Sequence, residues 1–461
     1  MYLENTKITD INILRDRIWG EVITPLDPSW DDARAAFNLA VDQQPAAIVF
    51  AESAEDVQAA VRFARRNELK VAPQTTGHNA GPLTPSLEDT IILRTTRMKG
   101  VTIDTEQRTA RVQAGTLWGE VTSRLEGTGL AALHGSSPTV GVVGYSLGGG
   151  VGWQARKHGL QTNQVTAVEL IDEHGEPVRA TADENSELFW ALRGAGGNFG
   201  VVTAIEFNLV PTPQVTAGML LWPWDRSGEV LETWLSMLHD LPEEFTSNYR
   251  IMQLPPFEEL PEFLRGRQLA VIDAALLGGS DQADEILAPL RALEPEMDTF
   301  AEVDPSALAF LHMDPEDPVP YVSDHTMLET IGADTARELI AAAGPDSGSP
   351  LAVVELRHVG GALSRPATNC GARSTLEGDL MYFALAPVMP ELPMEVIDGQ
   401  FARLREVLSG YENGSLYLNF SESPGELADF FDPHSYERLE AVKRQYDASG
   451  VFRGNFPFVQ K

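Results

Sequence analysis

The chain has 461 residues, of which 43% are hydrophobic and 22% charged, a globular composition long enough for about three units of roughly 150 residues each. Its 67 acidic residues against 34 Lys and Arg leave a net charge of −33, which repels phosphate backbones and anionic lipid and argues against nucleic acid or a membrane as partner. A single cysteine (Cys370), no apolar signal core in the first twenty residues, no run of ~18 apolar residues and nine scattered histidines without ligand spacing predict a cytoplasmic chain with no disulfide, membrane span or bound metal.

Residues 1–40 read as an N-terminal helical segment. Residues 46–50 form an apolar strand, Ser53 with Asp56 three residues on starts a helix through Arg66, and 69–73 form a second strand. Short β runs follow at 90–93, 100–103 and 109–113. Then come a helix at 117–125, a glycine-rich segment, a strand at 165–171, a helix around 186–192 and a strand at 201–207. This is α+β rather than doubly wound, with a first domain over 41–212. Pro211 and Pro213 mark the change to a second domain over 213–410. There, strands at 218–221, 248–253, 268–276, 351–358 and 380–386 alternate with helices near 229–241, 283–293, 327–343 and 395–408, predicting an antiparallel sheet covered by helices. Residues 411–461 return with one strand and a helix over 433–446.

Glycine gathers where bare backbone would suit an anion. Gly141, Gly144, Gly148, Gly149, Gly150 and Gly152 form one cluster, Gly194, Gly196, Gly197 and Gly200 another, and Gln74-Thr75-Thr76-Gly77-His78-Asn79 a third loop. Residues without a Cβ let N–H groups converge on a diphosphate without a lysine, though tight turns between strands would use them equally. Gly150 to Ala155 fits G-x-G-x-x-A with Asp172 beyond, but follows no clear strand. Gly144 to Gly148 fits the G-x-S-x-G nucleophile elbow, which makes a serine hydrolase using Ser146 the reading from another class.

The loops, in order, resemble those of the covalent-FAD oxidases of the vanillyl-alcohol-oxidase and berberine-bridge-enzyme type. The likeness rests on Gly77-His78; on Ser137-Pro138-Thr139-Val140-Gly141-Val142 leading into Gly148-Gly149-Gly150; on Arg193 to Gly200; on Tyr417-Leu418-Asn419; and on Tyr436 to Asp447 ending in Phe452-Arg453-Gly454-Asn455. It implies a two-subdomain PCMH-type FAD-binding domain, a substrate domain and a C-terminal segment returning to the first. His78 would be joined to the flavin 8α-methyl carbon. Ser137 stands where many members have a second, cysteinyl link, so the resemblance implies a single covalent bond. FAD contacts would come from Gln74, Thr75, Thr76, Gly77, Asn79, Ser137, Thr139, Gly141, Gly144, Tyr145, Gly148, Gly149, Gly150, Gly152, Gly200, Val201, Val202, Asn419 and Asn455. By analogy the protein would be a homodimer.

Members often carry a catalytic tyrosine one residue beyond the asparagine, where this chain has Phe420, and a phenyl ring takes no proton. Alternation in 351–358 puts Glu355 and Arg357 opposite the apolar Ala352, Val354 and Leu356. Glu355 over the flavin, its pKa raised by desolvation, would be a general base toward an acidic C–H, unless it is simply paired with Arg357. Tyr249 would hydrogen-bond an enolate oxygen or be a sheet tyrosine, and Thr139 would position dioxygen or bond loop backbone. Together these point to a 1,3-dicarbonyl substrate. Nearness to the flavoenzymes of polyketide assembly implies a poly-β-carbonyl chain, free or presented by an acyl carrier protein, oxygenated through a flavin-N5-oxygen species and then rearranged in Favorskii fashion and cyclised. A simple alcohol or sugar oxidase releasing hydrogen peroxide, and a flavin-binding protein without turnover, are the alternatives.

Overall fold

A computed structural model describes residues 11–84, 87–256, 262 and 264–458; residues 1–10 of the predicted N-terminal helical segment lie outside the described residues. What is described of that segment is not only helical, because the strand Glu21–Ile23 pairs antiparallel with Ala47–Phe50 at the sheet edge.

The first subdomain is a four-stranded sheet in the order Glu21–Ile23, Ala47–Phe50, Thr90–Arg94, Lys70–Gln74, the last three parallel. Its crossover helix, Ala54–Arg66, begins where the Ser53 hydroxyl accepts from the Asp56 N–H at 3.2 Å, a cap worth about 1 kcal/mol, and buries Val57, Ala60, Val61 and Ala64 against the strands. The second subdomain is a five-stranded antiparallel sheet ordered Val101–Asp104, Thr109–Gln113, Val201–Asn208, Val165–Ile171, Pro177–Thr181. The glycine-rich stretch holds a short helix, Val142–Leu147.

The third layer is a large antiparallel sheet whose main path runs Met297–Asp298, Val215–Pro223, Gln268–Leu276, Phe245–Gln253, Val353–His358, Leu380–Pro387, Tyr321–Leu328. Helices Ser227–Met237, Ser280–Arg291, Ala333–Ala343 and Met394–Leu408 contribute buried side chains to the apolar core on one face of it. The helix expected over 327–343 is a strand followed by a helix. Tyr321, Ser323 and His325 alternate toward one face, and Gly332 breaks the chain before Ala333. The strand expected after 415 is also absent from the described residues, which hold 3-10 turns at Leu418–Phe420 and Leu427–Phe430 before the helix Pro433–Tyr446. This segment returns to the first subdomain, where Phe452 bridges Val71. No helix among the described residues is long and apolar enough to cross a membrane.

Candidate active site

The site lies where the first loop, the glycine stretch and the C-terminal segment meet the uncovered face of the large sheet. His78 stacks on Phe37 with centroids 3.6 Å apart, its Nδ1 is 2.8 Å from the Thr76 hydroxyl, and its Nε2 is 3.4 Å from that of Thr139. Burial pushes its pKa down to about 4, so the imidazole is neutral with a lone pair available at ordinary pH. Ser137 and Thr139 share a 3.0 Å hydroxyl contact beside it. The Thr139 side chain thus bonds side chains, not loop backbone.

Several features suit a dinucleotide. Among the described residues, the backbone N–H groups of residues 75 to 79 donate to no protein acceptor, and Asn79 Oδ1 is buried without a partner. Gly144 is exposed, with nothing within 4 Å of where a Cβ would stand. Such a run of free amides fits an anionic diphosphate.

Other residues expected to touch the cofactor also make contacts within the protein. A Cβ on Gly148 would stand 1.8 Å from Asn419 Oδ1, and one on Gly200 2.4 Å from Leu170, so close protein packing requires both glycines. Gly150 and Gly152 are pressed likewise by Tyr145 and by the His134 carbonyl. Val201 and Val202 bury their side chains at the start of a strand paired with Val165–Ile171. The Gln74 amide turns to Gln43, donating at 2.9 Å, rather than into the loop. The Tyr145 hydroxyl donates to the Leu133 carbonyl at 3.1 Å. Asn455 donates to the Asn79 carbonyl, and Asn419 donates to the Tyr145 carbonyl at 3.0 Å, so both asparagines brace the loops. The Tyr417 hydroxyl accepts from the Gly150 and Val151 N–H groups.

Ser146 is not a nucleophile. It lies within the helix, fully buried, its hydroxyl donating to the Val142 carbonyl at 2.8 Å, whereas an elbow needs the serine exposed at a strand-to-helix turn. Tyr249 is also corrected. It pairs in register with Leu356, so it points into the helix-covered core, where its hydroxyl donates to the Ser227 carbonyl at 2.9 Å. Alternation settles this, since Glu355 pairs with Arg250, one residue out of phase with Tyr249.

Glu355 does lie on the open face, but as a paired carboxylate. Arg357 Nε is 2.8 Å from it and His312 Nε2 3.5 Å; His312 Nδ1 is 2.6 Å from Asp273, which is 2.6 Å from Arg250. Burial alone would raise the Glu355 pKa, but Arg357, then His312 and Arg250, outweigh it and hold the group at about 2, opposite to the expected shift. Burial and Arg250 push His312 down, but Asp273, with Glu355 and Asp314, lifts it to about 9. Sequence reasoning missed Arg250, Asp273, His312 and Asp314. The available signal was Asp273 alone in the apolar run Gln268–Leu276, since a buried carboxylate demands a cation.

The two shifts set a pH window. His312, raised above its ordinary 6.5, contributes stability fully below that pH and loses it as pH rises through about 9; Glu355, depressed from 4.5, contributes above that pH and loses it as pH falls toward about 2. Melting temperature measured upward from neutral pH is expected to decline through about pH 9, and His312→Gln to flatten that decline.

In front of the network is a cavity lined by Ser136, Val151, Trp153, Asn248, Arg357 and His358 among others. Arg357 lies 4.9 Å over the Phe420 ring, which packs 5.1 Å from Phe383. At the His78 end, the Tyr321 hydroxyl donates to the His78 carbonyl at 3.2 Å. Beside Tyr321, burial raises Glu422 to about 7 despite hydrogen bonds from Ser323 and Tyr321.

A model of the FAD binding domain matches residues 45–181. The chain is 30% identical over 452 residues to (R)-6-hydroxynicotine oxidase of Paenarthrobacter nicotinovorans, covering 95% of this chain and 96% of that one. Xylooligosaccharide oxidase of Thermothelomyces thermophilus is 35% identical over 231 residues, 48% of this chain and 46% of its own length. Among solved structures, 6-hydroxy-D-nicotine oxidase of Arthrobacter nicotinovorans superposes with a TM-score of 0.79 at 27% identity, over 95% of this chain and 97% of that one. A chitooligosaccharide oxidase superposes at 0.83 and 23% identity, covering 98% and 100%, a likeness of fold.

Proposed function

The chain belongs to the FAD-linked oxidoreductases that include (R)-6-hydroxynicotine oxidase, and from that premise we propose that it is an oxidase carrying FAD on His78 and acting on a carbon whose C–H is acidified by neighbouring carbonyls. Bound FAD supplies the two-electron acceptor, with dioxygen as the final oxidant. The chain's own residues do the rest. His78 offers a neutral nitrogen for the single tether, the amides of 75 to 79 take the diphosphate, and Arg357 faces the developing enolate oxygen from the cavity wall. Thr139, next to His78, is the group assigned to dioxygen.

The observation that carries this reading is Arg357 in the cavity wall beside Phe420, a fixed cation where a phenol base is missing. The two nearby phenols do not replace it. Burial raises Tyr417 to about 12 and Tyr145 well above its ordinary range, and both hydroxyls are engaged. An alcohol or sugar must lose a poorly acidic proton and needs such a base, whereas the more acidic carbon of a 1,3-dicarbonyl can give its proton to a weaker base once a cation holds its enolate. The relatives' names span a nicotine derivative and oligosaccharides, and so do not fix the substrate.

A poly-β-carbonyl chain is the substrate we favour. The finer likeness to the enterocin-pathway flavoenzyme favorskiiase rests on a single tether at His78 and on Tyr249 with Glu355, and Tyr249 lies in the helix-covered core. What supports a polyketide now is the acidic C–H alone, with oxygenation and Favorskii-type rearrangement as its furthest extension. The test is oxygen uptake with a panel of β-diketones, β-ketoesters, alcohols and sugars. We expect turnover with hydrogen peroxide release, or labelled oxygen in product, for the first two classes; turnover confined to alcohols or sugars would reject the reading.

A further inference from the structure

The acidic groups around the cavity differ in what already holds them. Glu355 and Asp273 are buried in ion pairs with Arg357, His312 and Arg250, and a carboxylate so held is a poor proton acceptor. Glu422 keeps to Tyr321 and Ser323 at the His78 end. Asp314 is different. It lies two residues past His312 on the loop that leads to the strand Tyr321–Leu328, and its carboxylate accepts from the Ser136 hydroxyl at 2.6 Å. Ser136 lines the cavity and directly precedes Ser137 and the Thr139 loop. Asp314 has no ion-pair partner within 4 Å among the described residues, yet its charge is felt at His78, His312 and Arg357 alike. The carboxylate is therefore held by a hydroxyl of the cavity wall that Arg357 also lines, one residue before the loop that meets His78.

We propose that Asp314 is the catalytic base, accepting the proton from the acidic carbon of the substrate. This rests on the reading of the site as one for carbonyl-activated C–H groups. In the step, the C–H bond breaks heterolytically, the proton bonds to an Asp314 oxygen, and the electron pair stays on the substrate as an enolate whose oxygen faces Arg357. The Ser136 hydroxyl holds the carboxylate in place and is a positioning group.

Proton transfer is read apart from oxidation by following loss of the C2 proton of ethyl 2-methylacetoacetate in deuterium oxide, without oxygen, by NMR. Wild-type holoenzyme is expected to accelerate exchange over buffer. Asp314→Asn should cut that acceleration about 100-fold or more, with flavin content and melting temperature kept, and Asp314→Glu should recover part of it. Ser136→Ala, which leaves the carboxylate itself intact, should slow exchange about 10-fold. Wild-type exchange that persists in Asp314→Asn, or that is lost in Glu422→Gln instead, overturns the assignment to Asp314 alone. A flavin-loaded wild type with no exchange rejects the substrate reading and the base with it.

Discussion

Replacing His78 with alanine is expected to free essentially all of the flavin when the protein is precipitated with acid, whereas the unaltered chain keeps its yellow colour and the added mass of one FAD after denaturation. The imidazole is neutral, shielded by Phe37 and steadied by Thr76, and Ser137 offers no thiol for a second link. The amides of residues 75 to 79 remain in the variant, so it should still bind FAD reversibly at micromolar concentrations or better. Absorbance of the supernatant and mass spectrometry of the flavopeptide read the result. A variant whose flavin stays with the denatured chain would remove His78 as the anchor.

Arg357→Met should have the second large effect, on both chemistry and stability. Oxidation is expected to fall on the order of 100-fold or more, because the cation facing the enolate is gone. Glu355, 1% exposed, loses its 2.8 Å partner and keeps only His312 at 3.5 Å and the more distant Arg250, and breaking a buried ion pair costs on the order of 3 kcal/mol, a loss of several degrees in melting temperature. The double variant Glu355→Gln/Arg357→Met removes both charges and should recover most of that stability while staying inactive. Should the single variant melt and turn over like the original, both the pairing and the cation's role would be wrong.

Much of the fold was legible because local signals agreed with it. The capped helix after Ser53, the strand Thr109–Gln113 and the helix Pro433–Tyr446 follow from their own residues. The loops bearing His78, Ser137 and Thr139 were legible too, and they meet in space. The failures share a cause. Tyr249, Glu355 and Arg250 depend on which residues lie opposite one another across three strands, and register is a long-range property that no single strand's alternation reveals. At Glu355 the pairing with Arg357, open to the sequence as the alternative to a raised pKa, is the arrangement found, and His312, which only the fold brings within 4 Å, adds to it. At Gly148, Gly150 and Gly152 the place of a Cβ is taken by Asn419, Tyr145 and the His134 carbonyl, contacts between distant segments that glycine spacing alone does not reveal.

The clasp between the chain's two ends bears on biogenesis. Tyr417 and Asn419 fasten the glycine stretch, Asn455 fastens the loop of His78, and Phe452 adds to the edge of the first sheet. These residues leave the ribosome long after the loops they secure. Cofactor capture should therefore be a late maturation step, completed only once synthesis has passed residue 455, and a nascent chain stalled before that point would be colourless however well its first domain had folded.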